Sequence, residues 1–398
     1  MVCIELLMNG ETRLPIPALT MYRLAVVRIR SRYLSSNPGR GIRDGDLPRS
    51  LGAVQFKMGE VAGMKFTEPF RNAGIAAGLA LGMASTAMAV SCTTQSQLNE
   101  ADREPIANSA KALAGLVQSG NSAGLKASTI ASVAERFDPI AAAVESASPL
   151  IQRATITVDA LYVLDSSDAK TVEEETQFFC GGANSHEVVL TIPRIPAGKY
   201  AVAVLHATGV DSPQSITFIL SREDMAANPW KLAGAFIHPL TSAGHDGVWY
   251  WTKAREFARK KQNWNAYFYY QTAASLLTPV YFFSSPNLDK LLKEQAAIAP
   301  NGLPGANQPM LLSSAGGQSF EIQDMHTDSS LGGLDLVVEY KAQDTSDPVA
   351  SRTRNLELMK AILTQHPEVR DGFHGLWAFA NAANEQPFAN ELPMGQIQ

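Results

Sequence analysis

Through residues 99–150 the apolar positions recur at helical spacing. Ile106, Ala110, Leu113 and Val117 mark one helix face, and Gly120 stands where a C-cap belongs. A second short helix is expected between Ser122 and Phe137. Asp138-Pro139 then offers an N-cap and an N1 proline for a third, with Ile140, Ala143, Val144 and Ala147 along it. From Ala154 the period changes to two. Thr155–Tyr162, Thr176–Cys180, Glu187–Ile192, Tyr200–Thr208, Gln214–Ser221 and Trp230–His238 read as short strands separated by turn chemistry. Helices followed by a mainly antiparallel sheet define an α+β layout.

Helical spacing returns over 245–279, with unusual aromatic density, and once more over 287–297. Pro300–Gln318 is rich in Pro, Gly and Ser and reads as a linker. Beyond it, Phe320–Met325 and Leu334–Tyr340 are expected to pair around Gly332-Gly333. Asp347-Pro348 caps a helix to about Gln365, with Leu356, Met359, Ile362 and Leu363 on its apolar side. Leu376–Ala380 and Phe388–Leu392 close the chain as strands. The order ββαββ suggests a small α+β module, or strands that complete a sheet begun earlier.

The segment from Met64 differs from all of this. Lys65 and Arg71 precede an uncharged run from Ala73 to Val90, which ends in small residues up to Ser91-Cys92. A positive region, an apolar core and a small-residue end make an export signal. The run is too short and too Gly-rich for a permanent span. Ala87-Met88-Ala89 fits ordinary cleavage and release at Val90. Ala89-Val90-Ser91-Cys92 instead resembles the lipobox of bacterial exported lipoproteins, with Ala89 where that motif usually carries Leu. That resemblance makes Cys92 the lipid-bearing residue, and the polar stretch Thr93–Gln97 a tether. Since export signals act near a chain's start, residues 1–63, with eight Arg before the first Lys at Lys57, read as preceding the true initiation at Met64, or as a basic arm.

The organisation expected is therefore 1–63 as a stretch preceding the true start or a disordered arm, 64–91 as signal peptide, 92–100 as tether, 101–240 as the first α+β domain, 241–299 as a helical hairpin region, 300–318 as linker and 319–398 as the C-terminal module. The helical opening, Phe137-Asp138 and a last strand of the type Trp230-Lys231-Leu232-Ala233-Gly234 resemble the NTF2-like superfamily, which implies a pocket between helices and sheet. Ala254, Phe257, Ala266, Tyr270 and Ala273 resemble the small and aromatic positions of one tetratricopeptide hairpin; Trp264 and Pro279 fall one position late. A lone hairpin of this kind must pack on a neighbouring domain.

Over 398 residues the chain is 45% hydrophobic and 18% charged, with net charge −5 and three Cys. This excludes a disordered chain, a disulfide-dense scaffold and a general nucleic-acid binder. Residues 1–91 hold 11 Lys and Arg against 6 Asp and Glu, so the remainder is near −10. With Cys92 lipidated no intrachain disulfide is expected beyond it, and Cys180 reads as a small buried hydrophobe.

The chain carries no G-x-S-x-G elbow after a strand (Gly120 to Gly124 fits the spacing but falls in the helical opening), no P-loop, no G-x-G-x-x-G after a strand, no H-E-x-x-H and no C-x-x-C. Asp324, His326 and Asp328 alternate, so an extended backbone would set them on one side as a metal or acid–base group; the competing reading is a polar turn. His245-Asp246 reads as a base with its partner or as a helix cap. His206 and His238 are candidates for a shared pocket. Trp249, Trp251, Trp264, Tyr267 and Tyr270 form either core packing or an exposed binding patch. No cofactor is expected. The expected role is that of an exported envelope protein that binds another envelope protein or a small apolar ligand without catalysis. The alternatives are an acid–base enzyme in the NTF2-like pocket and a purely structural component.

Overall fold

The computed structural model describes residues 90–181, 188–222, 229–305, 308–383 and 385–398. The expected arm (1–63) and the leader up to residue 89 lie outside them. The described fold is mixed α+β, built around two hydrophobic cores.

The first core begins with helices α1 (Glu100–Gln118), α2 (Ser122–Ala127), α3 (Ala131–Ala134) and α4 (Asp138–Ile151). Asn99 caps α1 by accepting from the Asp102 N–H, and the helix buries Ile106, Ala110, Leu113 and Val117. Asp138 is the first residue of α4 rather than its cap, with Pro139 in the first turn and Phe137 before them.

The main sheet follows, with strands β1 (Ser91–Thr94), β2 (Thr155–Asp165), β5 (Lys199–Thr208), β6 (Gln214–Ser221) and β7 (Lys231–Pro239) side by side in that order, all antiparallel. Strands β3 (Glu175–Cys180) and β4 (Val188–Pro193) leave it. They form a second sheet whose other edge, β10 (Phe283–Ser284), arrives from the far side of the helical hairpin. Both faces of β5 are therefore buried. Val202 neighbours Tyr162, whose ring meets Phe283 edge-on at 6.3 Å, and Val204 neighbours Thr217, whose hydroxyl donates to the Pro279 carbonyl at 3.1 Å. That face looks at the second sheet. Strand alternation turns Ala201, Ala203, Leu205 and Ala207 toward the helices.

Residues 91–94, expected as leader end and tether, are instead an edge strand in register with β2, from Ser91 opposite Asp165 to Thr94 opposite Tyr162. Cys92 on this strand is disulfide-bonded to Cys180 at the end of β3, tying the two sheets together. Cys180 is buried as expected, but it is a bridge rather than a free thiol. The exclusion of an intrachain disulfide is corrected here; a lipid on Cys92 would have to compete with this bond, since one sulfur cannot hold both.

A two-residue ribbon, β8 (Thr241–Ser242) and β9 (His245–Asp246), leads into the helical hairpin α5 (Gly247–Arg259) and α6 (Asn263–Leu277), then α7 (Pro286–Ala297). Glu294 of α7 gathers the three helices. Arg255 grips it with two hydrogen bonds of 2.7 and 2.8 Å, Trp251 Nε1–H donates at 2.8 Å and Tyr270 O–H at 3.2 Å. Between α6 and α7 the chain returns to the first core, where Val280 and Phe282 are buried and Phe282 O accepts from Thr191 N–H.

The C-terminal sheet has the order β11 (Met310–Ser313), β12 (Ser319–Asp328), β13 (Asp335–Lys341), β14 (Gly375–Asn381), β15 (Phe388–Pro393). Only β13 and β14 are parallel, joined through α8 (Pro348–Gln365) and the short α9 (Val369–Gly372). Asp347 caps α8 through the Val349 and Ala350 N–H groups. The inner face packs Phe320, Ile322, Met325, Leu336, Val338, Tyr340, Leu376 and Ala378 in the second core. Buried Asn355 pins α8 there, accepting from Tyr340 O–H and donating to the Ala378 carbonyl and to Asn390 Oδ1.

Candidate functional site

The aromatic residues are packing, not an exposed patch. Trp264 and Tyr270 are buried, while Trp249, Trp251 and Tyr267 lie half-buried against the second core. Burial and the nearby Glu294 charge push the Tyr270 hydroxyl up to about 12. Asp246 is the N-cap of α5, accepting from the Trp249 N–H at 2.8 Å; exposed His245 stacks flat on the Trp249 ring. Neither forms an acid–base pair.

His206 and His238 do share a face, both flanking Ser215 on the strand between them. It is the face that meets the second sheet, not the one under the helices where a pocket was expected. His238 sits between the carbonyls of Pro239 and Pro279, and burial drives its pKa down, so it is a neutral packing group. His206 lies 3.8 Å from Asp159. Two shallow depressions occur elsewhere: one of about 440 Å³ beside the disulfide, lined by Thr94, Arg103, Asp159 and Tyr162, and one of about 420 Å³ against α8, lined by Val349, Arg352, Leu356 and Phe388. Neither reaches those histidines.

The outer face of the C-terminal sheet holds the densest chemistry. Strict alternation from buried Phe320 and Ile322 would have turned Asp324 into the core. A bulge at Gln323 resets the phase, so Met325 points inward while Asp324, His326 and Asp328 point outward. The strand continues through these residues instead of ending in a turn. His326 Nδ1 lies 2.8 Å from Asp324 Oδ2, and its Nε2 is buried without a hydrogen-bond partner. The third member of this group is Glu339, the cross-strand neighbour of Asp324, which accepts from Asn381 at 3.1 Å. Asp328 is not part of it; its carboxylate accepts from the Ser330 N–H and hydroxyl.

A second group, Asp335, His374 and Glu391, lies on the same face. Asp335 begins β13 and its side chain is fully buried. Its Oδ1 is 3.0 Å from His374 Nδ1, and its Oδ2 accepts from Trp377 Nε1–H at 3.1 Å. Glu391 stands opposite Trp377 in the β14–β15 pair. Burial, reinforced by the Asp335 charge, pushes the Glu391 carboxyl above its ordinary range. His374 is half-exposed, giving the group a path to solvent. The stacked rings of Trp377 and Phe379 continue the face along β14.

Sequence reading found Asp324 and His326 by alternation but missed Glu339, Asp335, His374 and Glu391. The expected pairing of 320–325 with 334–340 was the available signal for Glu339, since such a hairpin brings residue 339 onto the strand next to Asp324 and His326. Nothing local marks His374, which lies outside any strand.

No family model, no curated protein and no solved structure matches the chain. Among the described residues no helix is long and apolar enough to cross a membrane.

Proposed function

We propose that the chain is an exported protein of the cell envelope whose role is binding rather than catalysis. The observation that carries the compartment is the Cys92–Cys180 disulfide. Such bonds persist in oxidising surroundings and are rare in the cytosol. The leader pattern of Met64–Ser91 and the acidic balance beyond it agree with that reading. Between the two leader ends, the disulfide favours release at Val90 over a lipid anchor at Cys92, because a sulfur bonded to Cys180 is not free for a thioether. The chemically active side chains sit on a half-open sheet face and not in a closed cleft, which suits holding a ligand better than sealing a reaction from water. For kinship, we read residues 101–240 as NTF2-like, on helices followed by an antiparallel sheet. We read the α5–α6 hairpin as tetratricopeptide-like, on its small and aromatic contacts.

The test is cell fractionation followed by thiol alkylation, without and with prior reduction, and intact mass. The expected species is extracytoplasmic, starts at Val90 and reacts only after reduction. A cytosolic, uncut chain with free thiols would overturn the proposal, and an acylated Cys92 would overturn the release reading.

A further inference from the structure

We propose that Asp335, His374 and Glu391 bind one divalent transition-metal ion of the Zn²⁺ or Mn²⁺ kind. This goes beyond the export reading and does not depend on it.

The ligand atoms of the three side chains lie within 4.8 Å of one another. Donors held at about 2.1 Å from a common ion sit roughly 3–3.5 Å apart, close to the Asp335 Oδ1 to His374 Nδ1 separation of 3.0 Å. Asp335 is fully buried, and the Trp377 indole N–H occupies its other oxygen, as an outer partner does when it orients a metal ligand. Glu391 Oε1 is buried with no hydrogen-bond partner, so a desolvated carboxylate oxygen is left facing its neighbours without compensation. A cation supplies what that oxygen lacks.

The backbone is shaped around the same three groups. At Gly375 an added Cβ would collide with Glu391 Oε1 and reach 3.0 Å from Asp335 Oδ1; at Gly333 it would come 2.5 Å from the His374 side chain. Two glycines, 42 positions apart in sequence, therefore leave the room that these side chains occupy. The His374 backbone is pinned on both sides, its N–H donating to the Leu334 carbonyl and its carbonyl accepting from Met394 N–H. One imidazole with two carboxylates suits a borderline ion, whereas Ca²⁺ prefers six to eight oxygens. Three protein donors leave a position open, and half-exposed His374 gives it access to solvent.

The experiment uses the untagged, disulfide-bonded protein, stripped with chelator and dialysed against Zn²⁺, Mn²⁺ or Ca²⁺, with bound metal measured per chain. Wild type is expected to bind one Zn²⁺ or Mn²⁺ in preference to Ca²⁺, and saturating metal to raise its thermal midpoint. His374→Ala and Glu391→Gln should each weaken binding at least about tenfold. Gly375→Ala should weaken it while leaving every donor in place, and His245→Ala should change nothing. Circular dichroism checks each fold; His374→Ala alters a half-exposed side chain and suffices alone should Glu391→Gln fail to fold. Absence of binding at millimolar metal overturns the proposal. So does binding unaffected by His374→Ala and Glu391→Gln, or lost only in His326→Ala, which would put the ion at the neighbouring cluster.

Discussion

Glu294 offers a direct check on how the second core is held. Two hydrogen bonds from Arg255 lower its pKa most, with Trp251 and Tyr270 adding to the effect, and together they hold it at about 2 against an ordinary 4.5. At about 1.4 kcal/mol per pKa unit, the folded state favours the ionised carboxylate by roughly 3 kcal/mol. Glu294 is 26% exposed and Arg255 42%, so solvent screening brings the expected contribution down to about 1–2 kcal/mol. The sign follows from the lowered pKa. This stabilisation is complete above about pH 5, where an unfolded glutamate is already ionised, and disappears as pH falls from about 4.5 toward 2. Glu294→Gln should therefore be less stable than wild type by about 1–2 kcal/mol at pH 7, and the gap should close by about pH 2–3. Urea titrations followed by tryptophan fluorescence suit the purpose, because Trp249, Trp251, Trp264 and Trp377 all lie in the second half of the chain and only Trp230 in the first core. A gap that stays the same size from pH 7 to pH 3 would refute the ionic reasoning, and no gap at pH 7 would remove the clamp altogether.

Two further perturbations address the other structural ties. Cys180→Ser opens a bridge between residues 88 apart and should cost about 2–4 kcal/mol, read as a lower denaturant midpoint that wild type reproduces only under reduction; equal midpoints in oxidised and reduced wild type would contradict it. Trp264→Ala removes a buried ring packed against His366 at 4.1 Å and should cost about 3–5 kcal/mol, whereas an exposed binding residue would lose almost nothing.

Much of the local structure was legible because it rests on short-range rules. Ile106 to Val117 gave the α1 face, and Asp246 and Asp347 both cap helices as their positions implied. The rest depends on partners distant in the chain. Ser91–Thr94 is polar and short, and becomes a strand only because β2 lies beside it. Three cysteines carry no information about which sulfurs meet. The departure of β3 and β4 from the main sheet is completed by a strand of two residues, Phe283–Ser284, too short to leave a periodic trace. At the candidate site, alternation revealed Asp324 and His326, but the Gln323 bulge decides which way they face. Asp335, His374 and Glu391 meet only through strand register and through the close approach that Gly333 and Gly375 permit. The aromatic cluster was readable as a group, but whether it faced solvent depended on α7 and the C-terminal sheet covering it.

The return of residues 279–284 to the first core has a practical consequence for anyone dividing this molecule. A fragment ending near residue 240 would lose the carbonyl that receives the Thr217 hydroxyl, and would bare the rim of β4 to adhesion by other chains. The first core is completed by a stretch that lies between two helices of the second, so it cannot be cut free at residue 240 without leaving part of itself behind.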